Sequence, residues 1–127
     1  MKFTLLFLLL FSSLISYEYE HHSKKHIQKE LSHLKLSFQQ KKEIKMILKS
    51  FRKDLKEYGN YKKEIQKEKS KVFSKEILDV EKLNHLNNFL DKKAHNIENI
   101  FLQKIHKALN KKQRRKFIKY FDEWEVN

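Results

Sequence analysis

The chain has no cysteine, no proline, one glycine and two methionines among its 127 residues. Without cysteine there can be no disulfide, no thiolate metal site, no cysteine nucleophile and no lipid-anchored N-terminal cysteine. Without proline, and with Gly59 as the sole glycine, the chain lacks the usual vocabulary of hairpins and tight turns. It also lacks any glycine-rich loop that could cradle a phosphate. No serine sits in a nucleophile elbow, and carboxylates such as Glu43, Glu64 and Glu68 have lysines within one helical turn, as surface pairs do. An enzyme is therefore not expected. What the chain has in abundance is charge: 29 Lys and Arg against 16 Asp and Glu, a formal net charge of +13. Charged residues make up 35% of it, with lysine, leucine, glutamate and isoleucine prominent. That composition suits long helices. The length fits one domain with a shallow core.

Met1-Lys2 opens a short positive segment, and residues 3–15 are apolar apart from Thr4, Ser12 and Ser13. At about 1.5 Å per residue that run covers roughly 20 Å, short of a bilayer core of about 30 Å. It reads as a secretory signal peptide over residues 1–16, with Ser16 at the −1 position and Leu14 at −3. An uncleaved N-terminal anchor is the alternative. Export takes the mature protein, residues 17–127, away from nucleic acid, so the basic charge is expected to serve another partner. Residues 17–25 are polar and histidine-rich, a flexible lead to a single helical domain.

A short first helix is expected over residues 24–34, using Ile27, Leu31 and Leu34. The second begins after Leu36-Ser37, and Ile44, Ile47, Leu48, Phe51, Leu55 and Tyr58 form one apolar stripe at helical spacing. Gly59-Asn60, the one strong breaker pair, predicts a bend or a stop. Ser74 reads as the N-cap of a third helix whose stripe runs through Ile77, Leu83, Leu86, Leu90, Ala94, Ile97, Phe101, Ile105 and Ala108. From residue 74 to 109 it would be roughly 53 Å long, more than a domain of this size can bury. It should therefore protrude or pair with a second subunit. Phe117, Phe121 and Trp124 mark the buried face of a last helix of about four turns.

Two stretches share one pattern: Leu36-Ser37-Phe38-Gln39-Gln40 and Leu109-Asn110-Lys111-Lys112-Gln113. In each, a leucine precedes a helix-capping residue, and glutamine follows three positions later, the grammar of a capping box. Alanine at Asn110 is expected to cost more than alanine at Gln113, which only completes the box. Paired in a small helical exported chain, these stretches resemble the two LTxxQ motifs of the Spy/CpxP family of periplasmic proteins. Leu36, Ser37 and Gln40, and Leu109, Asn110 and Gln113, match the motif positions. Serine and asparagine stand where the family usually has threonine, and Phe38 and Lys111 where it often has proline. The resemblance implies a four-helix bent hairpin with one long helix, dimerising into a thin curved cradle. It implies ATP-independent chaperoning of unfolded or misfolded envelope proteins on a basic concave face.

The residues themselves support such a surface. Lys41, Lys42, Lys45, Lys49, Arg52, Lys53 and Lys56 crowd the second helix, and Lys111, Lys112, Arg114, Arg115, Lys116 and Lys119 the last. Positive charge speeds encounter with acidic unfolded segments, and nearby apolar groups add a weak grip. The candidate client-binding residues are Phe38, Lys45, Arg52, Tyr58, Leu102, Arg114, Arg115 and Phe117, with Leu102 expected to be exposed beside the long stripe. A purely solvated polar face is the plainer reading of the charge, and a core role the plainer reading of the aromatics. No cofactor is expected under this reading. An alternative function rests on His22 and His26, which at i and i+4 of a helix could chelate zinc or nickel. That reading makes the protein a metal-binding sensor or stress-pathway regulator, with a sensor kinase of an envelope stress system as its partner. His85, His95 and His106 lie too far apart along a helix to share one ion.

Overall fold

Ile44, Phe51, Tyr58, Ile65 and Val72 recur every seven residues, and all five are buried. A seven-residue apolar period keeps one seam of a long helix turned toward a helical neighbour. The computed structural model of the protein describes residues 31–120 and 126, and among them there are three helices and no strand. Helix α1 is Phe38–Phe73, α2 is Val80–Ala108 and α3 is Lys111–Phe117. A single 3-10 turn over residues 118–120 follows α3. The expected signal peptide and the histidine-rich lead with His22 and His26, together with Phe121 and Trp124, lie outside the described residues. The expected first helix lies mostly outside them too, although residues 31 and 32 are helical.

The chain divides into two compact units, Met1–Leu36 and Ser37–Asn127. In the first, the Leu34 N–H donates to the Leu31 carbonyl at 3.2 Å. Lys35 then takes φ 50, a left-handed conformation that ends a helical run. The second unit is an antiparallel pair of long helices with α3 following at one end. Its register is visible in the cross-helix contacts. Ser50 accepts from Lys104 at 3.3 Å, Tyr61 meets Phe89 edge-on with ring centroids 6.1 Å apart, and Lys69 donates to Asn87 at 3.0 Å. Phe51 stacks on Phe101 at 4.3 Å between centroids in this seam. Phe101, Ile44, Ile105 and Val72 are the largest side chains sealed from solvent.

Two expectations about α1 and α2 are corrected. Gly59-Asn60 neither bends nor stops the chain, for α1 runs through both as one 36-residue helix. Glycine and asparagine in a helix interior cost roughly 1.5 kcal/mol together relative to alanine. Burying Tyr58 and Ile65 on either side of them returns about 1.5–3 kcal/mol apiece, so tertiary packing outweighs local propensity. The long helix is thus α1, about 54 Å at 1.5 Å per residue, rather than the one that follows. Ser74, expected to open that helix, closes α1 instead. Its N–H donates to the Ser70 carbonyl at 3.1 Å and its hydroxyl to the Lys71 carbonyl at 2.8 Å. Helix α2 starts six residues later, where Asp79 accepts from the Lys82 N–H at 3.0 Å. Of the α2 stripe, Leu90, Ala94, Phe101, Ile105 and Ala108 are buried, Leu83, Leu86 and Ile97 are half-buried, and Ile77 lies exposed before the helix begins.

Gly59 offers a clean stability test. It sits in mid-helix, and a Cβ added there meets nothing within 4 Å. Gly59→Ala should raise the unfolding free energy by about 1 kcal/mol, through helix propensity and a less flexible unfolded chain. A urea midpoint that stayed put or fell would mean α1 is not continuous there in solution.

Candidate functional site

Both predicted capping boxes form. The Ser37 hydroxyl accepts from the Gln40 N–H at 3.1 Å, and Gln40 Oε1 accepts from the Ser37 N–H at 3.0 Å. At the second copy, Asn110 Oδ1 accepts from the Gln113 N–H and Gln113 Oε1 from the Asn110 N–H, each at 2.9 Å. The antiparallel pairing then brings the two copies together. Gln40 Nε2 donates to Gln113 Oε1 at 2.7 Å, and Gln113 Nε2 donates to Gln40 Oε1 at 3.0 Å. This is a reciprocal amide pair. Gln40 Nε2 also donates to the Ala108 carbonyl at 2.9 Å, satisfying one of the orphan acceptors at the end of α2. One side chain thus caps its own helix, closes another and pairs with its counterpart. Gln113 is the one buried polar side chain among the described residues, at 6% exposure. Leu109 is buried and Leu36 half-buried. Arg114 Nε donates to the His106 carbonyl at 2.9 Å, closing the last turn of α2 from the other side. The glutamine pair and its caps lock the hairpin's open end, where α1 begins and α2 stops.

The expected client-binding residues separate into three groups. Phe38, at 85% exposure, and Lys45, Arg52 and Arg115 are open to solvent. Leu102 and Arg114 are half-buried, so Leu102 is not the exposed leucine expected from its place beside the stripe, and Arg114 is engaged at α2. Tyr58 and Phe117 are buried and serve packing, which removes them from any client face. Burial, with the Asp91 carboxylate nearby as the lesser cause, pushes the Tyr58 hydroxyl above the ordinary tyrosine value.

Seven of the twelve Lys and Arg of α1 share one face, six of them unpaired and Lys67 paired with Glu64. At about 100° per residue, Lys42, Lys45, Lys49, Arg52, Lys56 and Lys63 fall within an arc of roughly 80°. All six are exposed, and among the described residues none has an ion-pair partner. The five carboxylates of the helix, Glu43, Asp54, Glu57, Glu64 and Glu68, occupy a second arc of similar width about 120° away. The buried seam takes the third side. Ion pairs form within helices, Lys67 to Glu64 at 3.1 Å and Lys71 to Glu68 at 2.7 Å. The latter pair holds the Glu68 carboxyl below the usual range and the Lys71 ammonium above it. The basic stripe runs about 31 Å from Lys42 to Lys63.

The hairpin's far end was not foreseen as a surface. Phe73, Ile77, Leu78 and Val80 are exposed there, Ile77 by 84% and Phe73 by 77%. The signals for it were legible: Ile77 to Leu83 is an interval of six, out of helical phase, and Asp79 with Glu81 is a stronger helix start than Ser74. Among the described residues no group of His, Cys, Asp and Glu is clustered to hold a metal, and no helix is long and apolar enough to cross a membrane. Comparison with protein-family models, with curated proteins and with solved structures gives no match to this chain.

Proposed function

We propose that this protein is an exported, Spy/CpxP-like chaperone that binds unfolded proteins without ATP along the basic stripe of α1. The observation that carries the reading is the sorting of charge on that helix. A helix that needs charge only for solubility gains most from interleaved signs, which add i,i+4 attractions. Here six cations stand together without partners, while the carboxylates lie on another side. Neither α1 nor α3 has an acidic residue in its first turn, and α3 opens on Lys111 and Lys112, against the preference of the helix dipole. The joined capping boxes support the family resemblance, because both motif copies act as one unit. On this reading residues 1–16 direct export to the periplasm, and a cradle-like homodimer, with a further helix before α1, extends the stripe across two chains. The dimer follows from the resemblance alone, and sedimentation at tens of micromolar tests it.

Capture and holding should separate kinetically. The stripe draws in an acidic unfolded client, and exposed apolar groups such as Phe38 hold it. At about 0.5 M salt the Debye length falls to roughly 4 Å. Association with a permanently unfolded acidic client should then slow tenfold or more, with little change in dissociation. Reversing Lys45, Lys49 and Arg52 to glutamate should reproduce the salt effect without touching the Arg114 cap. Phe38→Ser should speed release and leave capture intact. Stopped-flow binding reads both rates. Association indifferent to salt and to charge reversal would reduce the stripe to a solubility device and end this mechanism.

A further inference from the structure

Lys42, Lys49, Lys56 and Lys63 recur every seven residues, the period of the buried seam Ile44, Phe51, Tyr58, Ile65 and Val72 on the far side of α1. Lys45 and Arg52 interleave with them, so from Lys42 to Lys56 the cations stand alternately three and four residues apart. We propose that this row takes its clients as helices. Its preferred partner is an acidic segment whose carboxylates also alternate at three and four residues, docked lengthwise on α1 over Lys42 to Lys56. This selectivity rests on the client-binding role proposed above for the stripe.

Side chains three and four apart on a helix are neighbours, so the cations from Lys42 to Lys56 form one unbroken row. All of them are exposed, and no carboxylate of α1 lies within about 70° of the row's midline. Phe38, exposed on that midline one turn before Lys42, adds an apolar contact at the end. Gly59 and Asn60 interrupt the row after Lys56, which limits the continuous site to about 21 Å. Spacing decides between a helical and an extended client. Along the row the mean advance is about 5.3 Å per cation, the same as for carboxylates alternating at three and four residues on a partner helix. An extended segment presents same-side carboxylates about 6.7 Å apart. It slips by about 1.4 Å at each step and by a full cation spacing at the fifth. A seven-residue row drifts by about 20° per repeat on a straight helix, and a partner helix inclined by about 20° follows it. Carboxylates four apart repel one another in a free helix, and the cations remove that repulsion. The segment therefore gains helix as it binds.

Two dye-labelled peptides of about 18 residues, roughly 27 Å long when helical, provide the test. Both are made from the same glutamate, alanine and glutamine residues. One sets its glutamates alternately three and four apart, and the other spreads them evenly around the helix. Anisotropy titrations with the full chain at low salt should show the first bound about tenfold tighter or more. Carbon-13 at its backbone carbonyls separates its infrared amide band from that of the protein, and the band should turn helical on binding. The Lys49→Glu, Lys56→Glu double variant should weaken this binding by about tenfold or more. Lys62→Glu, Lys92→Glu makes the same change in net charge at exposed positions off the row and should weaken it by less than about threefold. Equal affinity for the two peptides overturns the proposal and leaves the stripe its client role. So does a first peptide that binds without gaining helix, or an off-row variant as damaging as the row variant. Binding of neither peptide overturns the proposal together with the client-binding role itself.

Discussion

Phe101→Ala should lower the unfolding free energy by about 3–5 kcal/mol, the largest effect expected of any single substitution in the described core. Phe101 is among the most deeply buried side chains and stacks on Phe51 in the seam between α1 and α2. Truncation removes the transfer energy of a ring and leaves a cavity between two long helices that can close only by bending toward each other. Domains of this size are stable by about 5–15 kcal/mol in total. The loss is therefore a large share of the whole, and the melting temperature should fall by 10 °C or more. Phe38→Ala, at the exposed start of α1, should change stability by less than about 0.5 kcal/mol. Urea titrations of the two variants against the wild type would check the contrast. Comparable small losses for both would mean that the two helices do not pair along this seam.

Much of this hairpin was legible in the amino-acid order. Ile44, Ile47, Leu48, Phe51 and Tyr58 on one helix, and Leu90, Ala94, Phe101, Ile105 and Ala108 on the other, lie at helical spacing and are buried. Both capping boxes were readable because their hydrogen bonds span three residues and depend on nothing distant. The failures came where local signals competed with packing. Gly59-Asn60 has the chemistry of a stop, but the seven-residue period continues across it from Tyr58 to Ile65 and Val72. Counting that longer period would have shown one helix rather than two. Extending α1 to Phe73 also removes the case for an overlong third helix, since Ser74 is then a terminus.

The side chains assigned to client binding divided for a related reason. Lysines and arginines on helix surfaces are exposed almost whatever the fold, so Lys45, Arg52 and Arg115 were safe. Aromatics at helical spacing could face either way, and only the pairing of α1 with α2 and the position of α3 decided that Tyr58 and Phe117 turn inward. The pairing of Gln40 with Gln113 was beyond local reasoning altogether. Spacing placed each glutamine in its own box, and the contact between them exists only because the antiparallel register brings Gln40 beside the end of α2.

That contact reverses the expected ranking of the motif residues. Asn110→Ala removes one side-chain acceptor and should cost about 1 kcal/mol. Gln113→Ala should cost about 2–3 kcal/mol. It strips the Asn110 N–H of its acceptor and leaves the amide of Gln40 facing a buried void with two fewer hydrogen bonds. If the amides act as a pair, the Gln40→Ala, Gln113→Ala double variant should lose less than the sum of the singles. A coupling of at least about 1 kcal/mol is expected, within the range found for groups in direct contact. Gln113→Glu sharpens the test. A carboxylate there can still accept from Asn110 and Gln40, but it has no donor for Gln40 Oε1 and places a charge at a buried position. Burial and the facing carbonyl both raise its pKa in the folded state above the unfolded value. Stability should therefore approach the wild type in mild acid, where the carboxyl is protonated and can donate, and fall as pH rises through that raised pKa. Chemical denaturation of these variants and of the Gln40→Ala single, from mild acid to neutral pH, measures all of this. Gln113→Ala no costlier than Asn110→Ala, together with a Gln113→Glu variant whose stability ignores pH, would reduce the lock to two separate helix caps.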